Sequence, residues 1–231
     1  RALEVVKALS PILAGALLFL RRWKVALTCA AFALANLVYI LPLYFGGSNA
    51  SSGDTAPLRA VVLNVNLGGQ PELVRSFLDE ADADMVVLLE VNGKWLEQLE
   101  PVTEQFAYTC TRPRNDNFGI ALFSKLPVVE SRIVNTGART GPGISEDRGG
   151  LPTVLATVQT TAGELRIVAT HPLPPLGRSF ARRRNRHLRE LPRYTQGSTP
   201  VLLLGDLNTT PWNYHFRRLV SESGLVDSSR G

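Results

Sequence analysis

The chain has 231 residues, 45% of them apolar, and a formal charge of +5. That length holds one large α/β domain or a smaller domain with an appendage, and the apolar fraction supports a sizeable core. Five of the basic residues precede residue 46 against one acid, which leaves 20 basic and 19 acidic residues beyond it. The remainder is almost neutral, so the basic balance does not mark a nucleic-acid-binding domain, where positive charge concentrates on the binding face. The two cysteines, Cys29 and Cys110, leave the redox compartment undetermined.

From Val25 to Phe45 there is no charged residue for 21 positions. At ~1.5 Å per residue a helix of that length matches the hydrocarbon thickness of a bilayer, and it reads as a transmembrane span. A shorter uncharged run at 8–20 reads as a partial span, a re-entrant segment or an interfacial helix. Arg21, Arg22 and Lys24 lie between the two runs. The positive-inside rule puts them on the cytoplasmic side and everything after the span outside the cytoplasm. Residues 1–45 are thus expected to be a membrane segment and 46–57, GGSNASSGDTAP, a flexible linker. The folded domain is expected over 58–231, at the cell membrane on its extracytoplasmic side.

Within that domain Leu58–Asn66 reads as a strand, Glu72–Ala81 as a helix, Met85–Val91 as a strand and the stretch around Trp95–Leu99 as a short helix. A strand-turn-strand region follows, FAYTC, GIALFS, PVVESRIV, LPTVLATVQT and LRIVATH. A basic helix then spans about Arg178–Leu191, before the strand VLLLGD and a helix from about Trp212 to Ser223. The alternation is that of an α/β domain. Seven arginines fall within 16 positions of the basic helix, and that helix reads as a solvated outer helix first, a surface for anionic headgroups second. Arg148, in the EDRGG stretch, is a further candidate substrate contact.

No P-loop, dinucleotide-binding glycine string, G-x-S-x-G elbow or H-E-x-x-H pair occurs. Instead four buried-looking runs end in oxygen or imidazole donors: VVLNVN, MVVLLEV, LRIVATH and VLLLGDLN. Strands packed side by side deliver their last residues to a common rim, so Asn64, Asn66, Glu90, His171, Asp206 and Asn208 are candidates for one site. Glu90 at a strand mouth needs a partner or a hard cation, and Mg²⁺ takes one or two carboxylates and keeps several waters. Asn64 supplies a carbonyl oxygen or orients Glu90. Asn66, two residues further along the extended strand, points to the same face as Asn64. Asp206 suits orienting or deprotonating water, and Asn208 donating to a phosphoryl oxygen. For each there is a plainer reading: a helix cap for Glu90, loop exits for the asparagines, an Asx turn at Asp206-Asn208, a structural histidine at 171.

The motifs NVN at 64–66, LLEV at 88–91, GIALFSK at 119–125, ATHPLPP at 169–175 and GDLNTTPW at 205–212 occur in an order that resembles the endonuclease/exonuclease/phosphatase superfamily. That group includes deoxyribonuclease I, abasic-site endonucleases, sphingomyelinases and inositol polyphosphate phosphatases. The membrane segment and the THPLPP form look most like its membrane-anchored bacterial branch. The resemblance implies a four-layer α/β sandwich with two mixed sheets, and a phosphoester hydrolase using Mg²⁺ or Mn²⁺. It implies Asn64 and Glu90 as metal ligands, Asn66 as support, His171 and Asn208 as phosphate contacts and Asp206 as the group aligning water. The implied substrate is a phosphoester, whether phospholipid headgroup, nucleic acid or small molecule, with the membrane as a further partner and no obligate protein partner. The family's closing Asp-His pair has no counterpart, since the histidines are His171, His187 and His215. The chain is therefore expected to be truncated at its C-terminus, and the alternative to an enzyme is a non-catalytic membrane-anchored binding module of the same fold.

Overall fold

The structure, a computed structural model, describes residues 11–13, 15–16, 22–41, 57–138 and 150–228. Arg148 and nearly all of the expected linker lie outside these residues, as does most of the 8–20 run. The chain divides into two units, one of which is Asp54–Leu225.

The other unit holds helix α1, Trp23–Ile40. Its large apolar side chains, among them Val25, Leu27, Phe32, Leu34 and Val38, are exposed. Among the described residues no helix is long and apolar enough to cross a membrane. The transmembrane span expected over 25–45 has no support from them, and its residues 42–45 lie outside the described residues. The helix has 18 residues, about 27 Å at the α-helical rise, and it takes Trp23 and Lys24 into its first turn.

Asp54–Leu225 is built on two four-stranded sheets. The first comprises β1 (Ala60–Asn64), β2 (Met85–Leu89), β3 (Tyr108–Arg112) and β4 (Ile120–Ser124), in the order β1-β2-β4-β3. The second comprises β5 (Val128–Thr136), β6 (Leu151–Thr160), β7 (Gly163–Thr170) and β8 (Val201–Leu204), side by side in chain order. Both are mixed: β1 runs parallel to β2 and β7 parallel to β8, and the other pairs are antiparallel. Helices α2 (Pro71–Ala81) and α3 (Gly93–Thr103) follow the first two strands. Helices α4 (Arg178–Glu190) and α5 (Pro192–Thr195) lie between β7 and β8, and α6 (Tyr214–Ser223) follows β8.

The period of two along each strand sorts the layers. Met85, Val87 and Leu89 of β2 and Ile120 and Leu122 of β4 meet Val154, Ala156, Ile167 and Ala169 of the second sheet in one buried cluster. The alternate residues Val86, Leu88, Ala121 and Phe123 face Leu78 of α2 and Trp95 and Leu99 of α3. On the far side Leu155 and Val168 pack against Leu188, Leu191 and Leu219. Helices, sheet, sheet and helices thus make the four layers expected from the family resemblance. Each leucine so buried contributes roughly 1.5–3 kcal/mol.

Two of the four runs that read as buried are not. Among the described residues β1 and β8 are the outer strands of their sheets and are half-exposed, whereas β2 is buried throughout. Hydropathy reports side chains and not lateral neighbours, so an edge strand with one apolar face reads much like a central one. Helix α3 is also longer than expected. Asn92 caps it by accepting from the Trp95 N–H at 2.9 Å, and burial of Val102 and Thr103 carries it past Pro101.

Candidate active site

Strand register assembles the site. Asn64 ends β1 opposite Leu89, so the next residue of β2, Glu90, stands beside it. On the other side of β2, Leu89 faces Ile120, and the Glu90 N–H donates to the Gly119 carbonyl at 2.8 Å, which brings the preceding turn alongside Glu90. In the second sheet Ala169 faces Leu204, so Gly205-Asp206 returns next to Thr170-His171. Packing of the two sheets then closes the rim.

At the rim Asn64 Nδ2 donates to Glu90 Oε1 and Asn117 Nδ2 to Glu90 Oε2, each at 2.8 Å. His171 Nε2 lies 3.4 Å from Glu90 Oε1, with the two side chains only 4% and 12% exposed. On the other edge of that ring Nδ1 is 3.1 Å from the Asp206 carbonyl, an acceptor, so Nδ1 carries the hydrogen. Phe118 flanks the imidazole with ring centroids 5.8 Å apart. Asn208 Nδ2 donates to the Pro172 carbonyl at 2.9 Å. The structure therefore links Asn64, Glu90, His171, Asp206 and Asn208 in one chain of contacts across both sheets. Asn66 joins it by donating its N–H to Asn64 Oδ1 at 3.0 Å.

Several local expectations need correction. Asn64 and Asn66 do not share a strand face, because the strand ends at Asn64 and Asn66 turns to φ +54°. Asn66 instead forms an Asx turn, accepting from the Gly68 N–H at 3.2 Å. Asp206 likewise accepts from the Asn208 N–H at 2.9 Å, an Asx turn that holds the exposed carboxylate on the loop. Glu90 is not the cap of the following helix, since Asn92 does that. Among the described residues four non-glycine positions have positive φ, and three of them are Asn66, Glu90 and Asn208. Such backbone costs on the order of 1–3 kcal/mol each and persists where the surroundings hold it, as at functional sites.

Sequence reasoning missed Asn117 and Arg184. Asn117 sits in a turn-rich RPRNDN stretch whose composition explains it without a site; only the β2–β4 register turns it onto Glu90. Arg184 belongs to the helix read as solvated, yet it is 6% exposed and its Nη1 donates to the Asn208 carbonyl at 2.8 Å. Burial pushes its guanidinium pKa down from the ordinary value. A signal was present: Arg184, His187, Leu188 and Leu191 recur at helical spacing and form the buried face. His187 is also buried. Its Nε2 meets Thr170 Oγ1 at 2.7 Å, and Thr170 Oγ1 meets Thr153 Oγ1 at 2.8 Å, directly behind His171.

The donor set fits a hard cation. Each Glu90 oxygen takes one amide N–H and keeps further acceptor capacity. One carboxylate with the amide oxygens of Asn64 and Asn66 in its vicinity suits Mg²⁺ or Mn²⁺, which take oxygen ligands. Among the described residues there is no group of three or more His, Cys, Asp or Glu that could hold a metal, so a ligand-rich zinc-type centre does not fit them.

The chain belongs to the Endonuclease/Exonuclease/phosphatase family, whose model matches residues 61–228. No curated protein matches it in sequence. Among solved structures it is similar to sphingomyelinase C from Streptomyces griseocarneus, with TM-score 0.56 and 16% identity over 75% of this chain and 72% of that one. The human nocturnin catalytic domain with bound sulfate anion matches with TM-score 0.56 and 20% identity over 72% of this chain and 70% of that one. A humanized D. rerio TDP2 with 14 mutations gives TM-score 0.53 and 18% identity over 74% and 72%. At these identities the likeness shows the fold.

Proposed function

We propose that the protein hydrolyses phosphoesters, as a phosphodiesterase or nuclease or as a phosphatase, with Mg²⁺ or Mn²⁺ held at Glu90. The observation that carries this reading is the Glu90 carboxylate, fixed by Asn64 and Asn117 and facing His171 from the other sheet. Family membership supports it, and sphingomyelinase C, named for a phosphodiester lipid, shares the fold. The bound ion would supply Lewis-acid polarisation of a phosphoryl oxygen. Glu90 and Asn64 would hold it, with Asn117 keeping the carboxylate in place and Asn66 supporting Asn64. His171 and the second amide hydrogen of Asn208 would contact the phosphate, and Asp206 would orient the attacking water and accept its proton. Water would add to phosphorus as the P–O bond to the leaving group breaks, the departing alkoxide would take a proton from solvent, and Asp206 would return the proton it accepted to solvent.

The localisation read from the sequence, at the cell membrane with this domain outside the cytoplasm, is part of the same proposal. The exposed apolar side chains of α1 support an apolar surround for that helix.

The test is a panel of phosphodiesters and phosphomonoesters, including sphingomyelin and single-stranded DNA, assayed with and without Mg²⁺. Turnover that needs the metal and falls at least about 100-fold in Glu90→Gln and in Asp206→Asn is expected. Magnesium binding at Glu90 without turnover of any substrate would identify the non-catalytic binding module. Full turnover by Glu90→Gln at limiting metal would remove the ligand role from Glu90.

A further inference from the structure

The outer face of the second sheet carries a cleft of about 240 Å³, away from the Glu90 rim, lined by Glu130, Arg132, Thr157, Arg166, Arg193 and Tyr194 among others. Its composition follows from the pleat. Leu165, Ile167 and Ala169 of β7 face the inter-sheet core, so Arg166 points the other way. Register sets Glu130 opposite Thr157, Thr157 opposite Arg166 and Arg132 opposite Leu155. Nearer the rim the same face is covered by Leu188 and Leu191, and beyond them α5 brings Arg193 and Tyr194 to the wall.

Three arginines line the cleft against one carboxylate. Glu130 is itself engaged, accepting from Thr157 Oγ1 at 3.3 Å. Arg166 is held in place by donating Nη1 to the Gln196 carbonyl at 2.6 Å, and Arg193 lies over the Tyr194 ring at 4.8 Å. Among the described residues neither Arg132 nor Arg193 has an ion-pair partner. Cations lining one cleft repel one another, and an anion between them relieves that repulsion. Forked guanidinium donors match the oxygens of a phosphate group better than they match a halide or a single carboxylate oxygen.

We propose that this cleft is a second anion site, which takes a phosphate group, free or as a monoester headgroup, through Arg132, Arg166 and Arg193. It is separate from the rim: Arg166 precedes Thr170 by four residues of strand, about 13 Å, and packed helix lies between. The inference is independent of the hydrolase reading.

Calorimetric titration of the protein with inorganic phosphate, without divalent metal and against chloride at equal ionic strength, tests it. Saturable binding is expected, weakened about tenfold or more in Arg132→Gln/Arg193→Gln and weakened less in Arg132→Lys/Arg193→Lys, which keeps the charge without the fork. Both arginines are exposed, and matching circular dichroism of the variants checks the fold. Sedimentation with phosphatidylcholine vesicles, with and without phosphatidate, separates the sources. Arginine-dependent capture by phosphatidate vesicles identifies a lipid headgroup, and binding of soluble phosphate alone identifies a free anion. No saturable binding to either, or equal affinity in the native protein and the glutamine variant, overturns the proposal.

Discussion

Glu90, at the end of a buried strand of the first sheet, stands 3.4 Å from His171, which leaves a buried strand of the second. The pair spans the interface between the sheets, so the site's geometry depends on how the two layers pack. Anything that shifts one sheet against the other alters the site without touching its residues.

Asn117 fixes the second Glu90 oxygen, and its loss frees the carboxylate to rotate. Asn117→Ala is expected to weaken Mg²⁺ affinity about 10- to 100-fold while changing thermal stability little, since the residue lies in an exposed turn. Calorimetric titration with Mg²⁺ checks this, and unchanged affinity would show that Asn64 alone suffices.

His187 supplies a pH dependence. Burial, with the nearby His171 charge second, pulls its pKa down from 6.5 to about 3. The folded state therefore prefers the neutral ring, and the unfolded chain binds the extra proton between pH 6.5 and 3. The resulting stability is fully present above pH 6.5 and is lost as pH falls toward 3. Between pH 7 and 4.5 the loss from this residue is on the order of 2–3 kcal/mol. Urea denaturation at the two pH values should show a smaller difference for His187→Gln than for the native protein, whatever the variant's stability at pH 7.

Gly205 lies at φ +147°, and a Cβ there would meet the Thr170 carbonyl oxygen at 1.8 Å. Gly205→Ala must push the Asp206 loop off the end of β7, breaking the contact of His171 with the Asp206 carbonyl. A stability loss above about 2 kcal/mol in urea is expected, together with loss of any activity shown by the native protein. An alanine variant as stable and as active as the native protein would mean that the loop has freedom the close approach denies.

Much of the fold was legible because it rests on local chemistry. The run MVVLLE, the alternation in LPTVLATVQT and the helical spacing around Leu188 each follow from side-chain periodicity, and element ends fell within a few residues of expectation. The six candidate residues were legible for a related reason: a polar group closing an apolar run has to sit where strands end. The edge positions of β1 and β8 were not legible, because lateral pairing is a contact between distant segments.

Sequence alone thus determined the elements and nominated the donors, since periodicity, proline and glycine placement and the needs of a buried carboxylate are properties of short stretches. Only the tertiary structure decided which donors meet. Register turned Asn117 onto Glu90, helix packing carried Arg184 from a charged run into the interior, and sheet-on-sheet contact set Glu90 against His171. Those outcomes depend on distances between segments far apart in the chain, which the hydrophobic packing of four layers sets and no local pattern encodes.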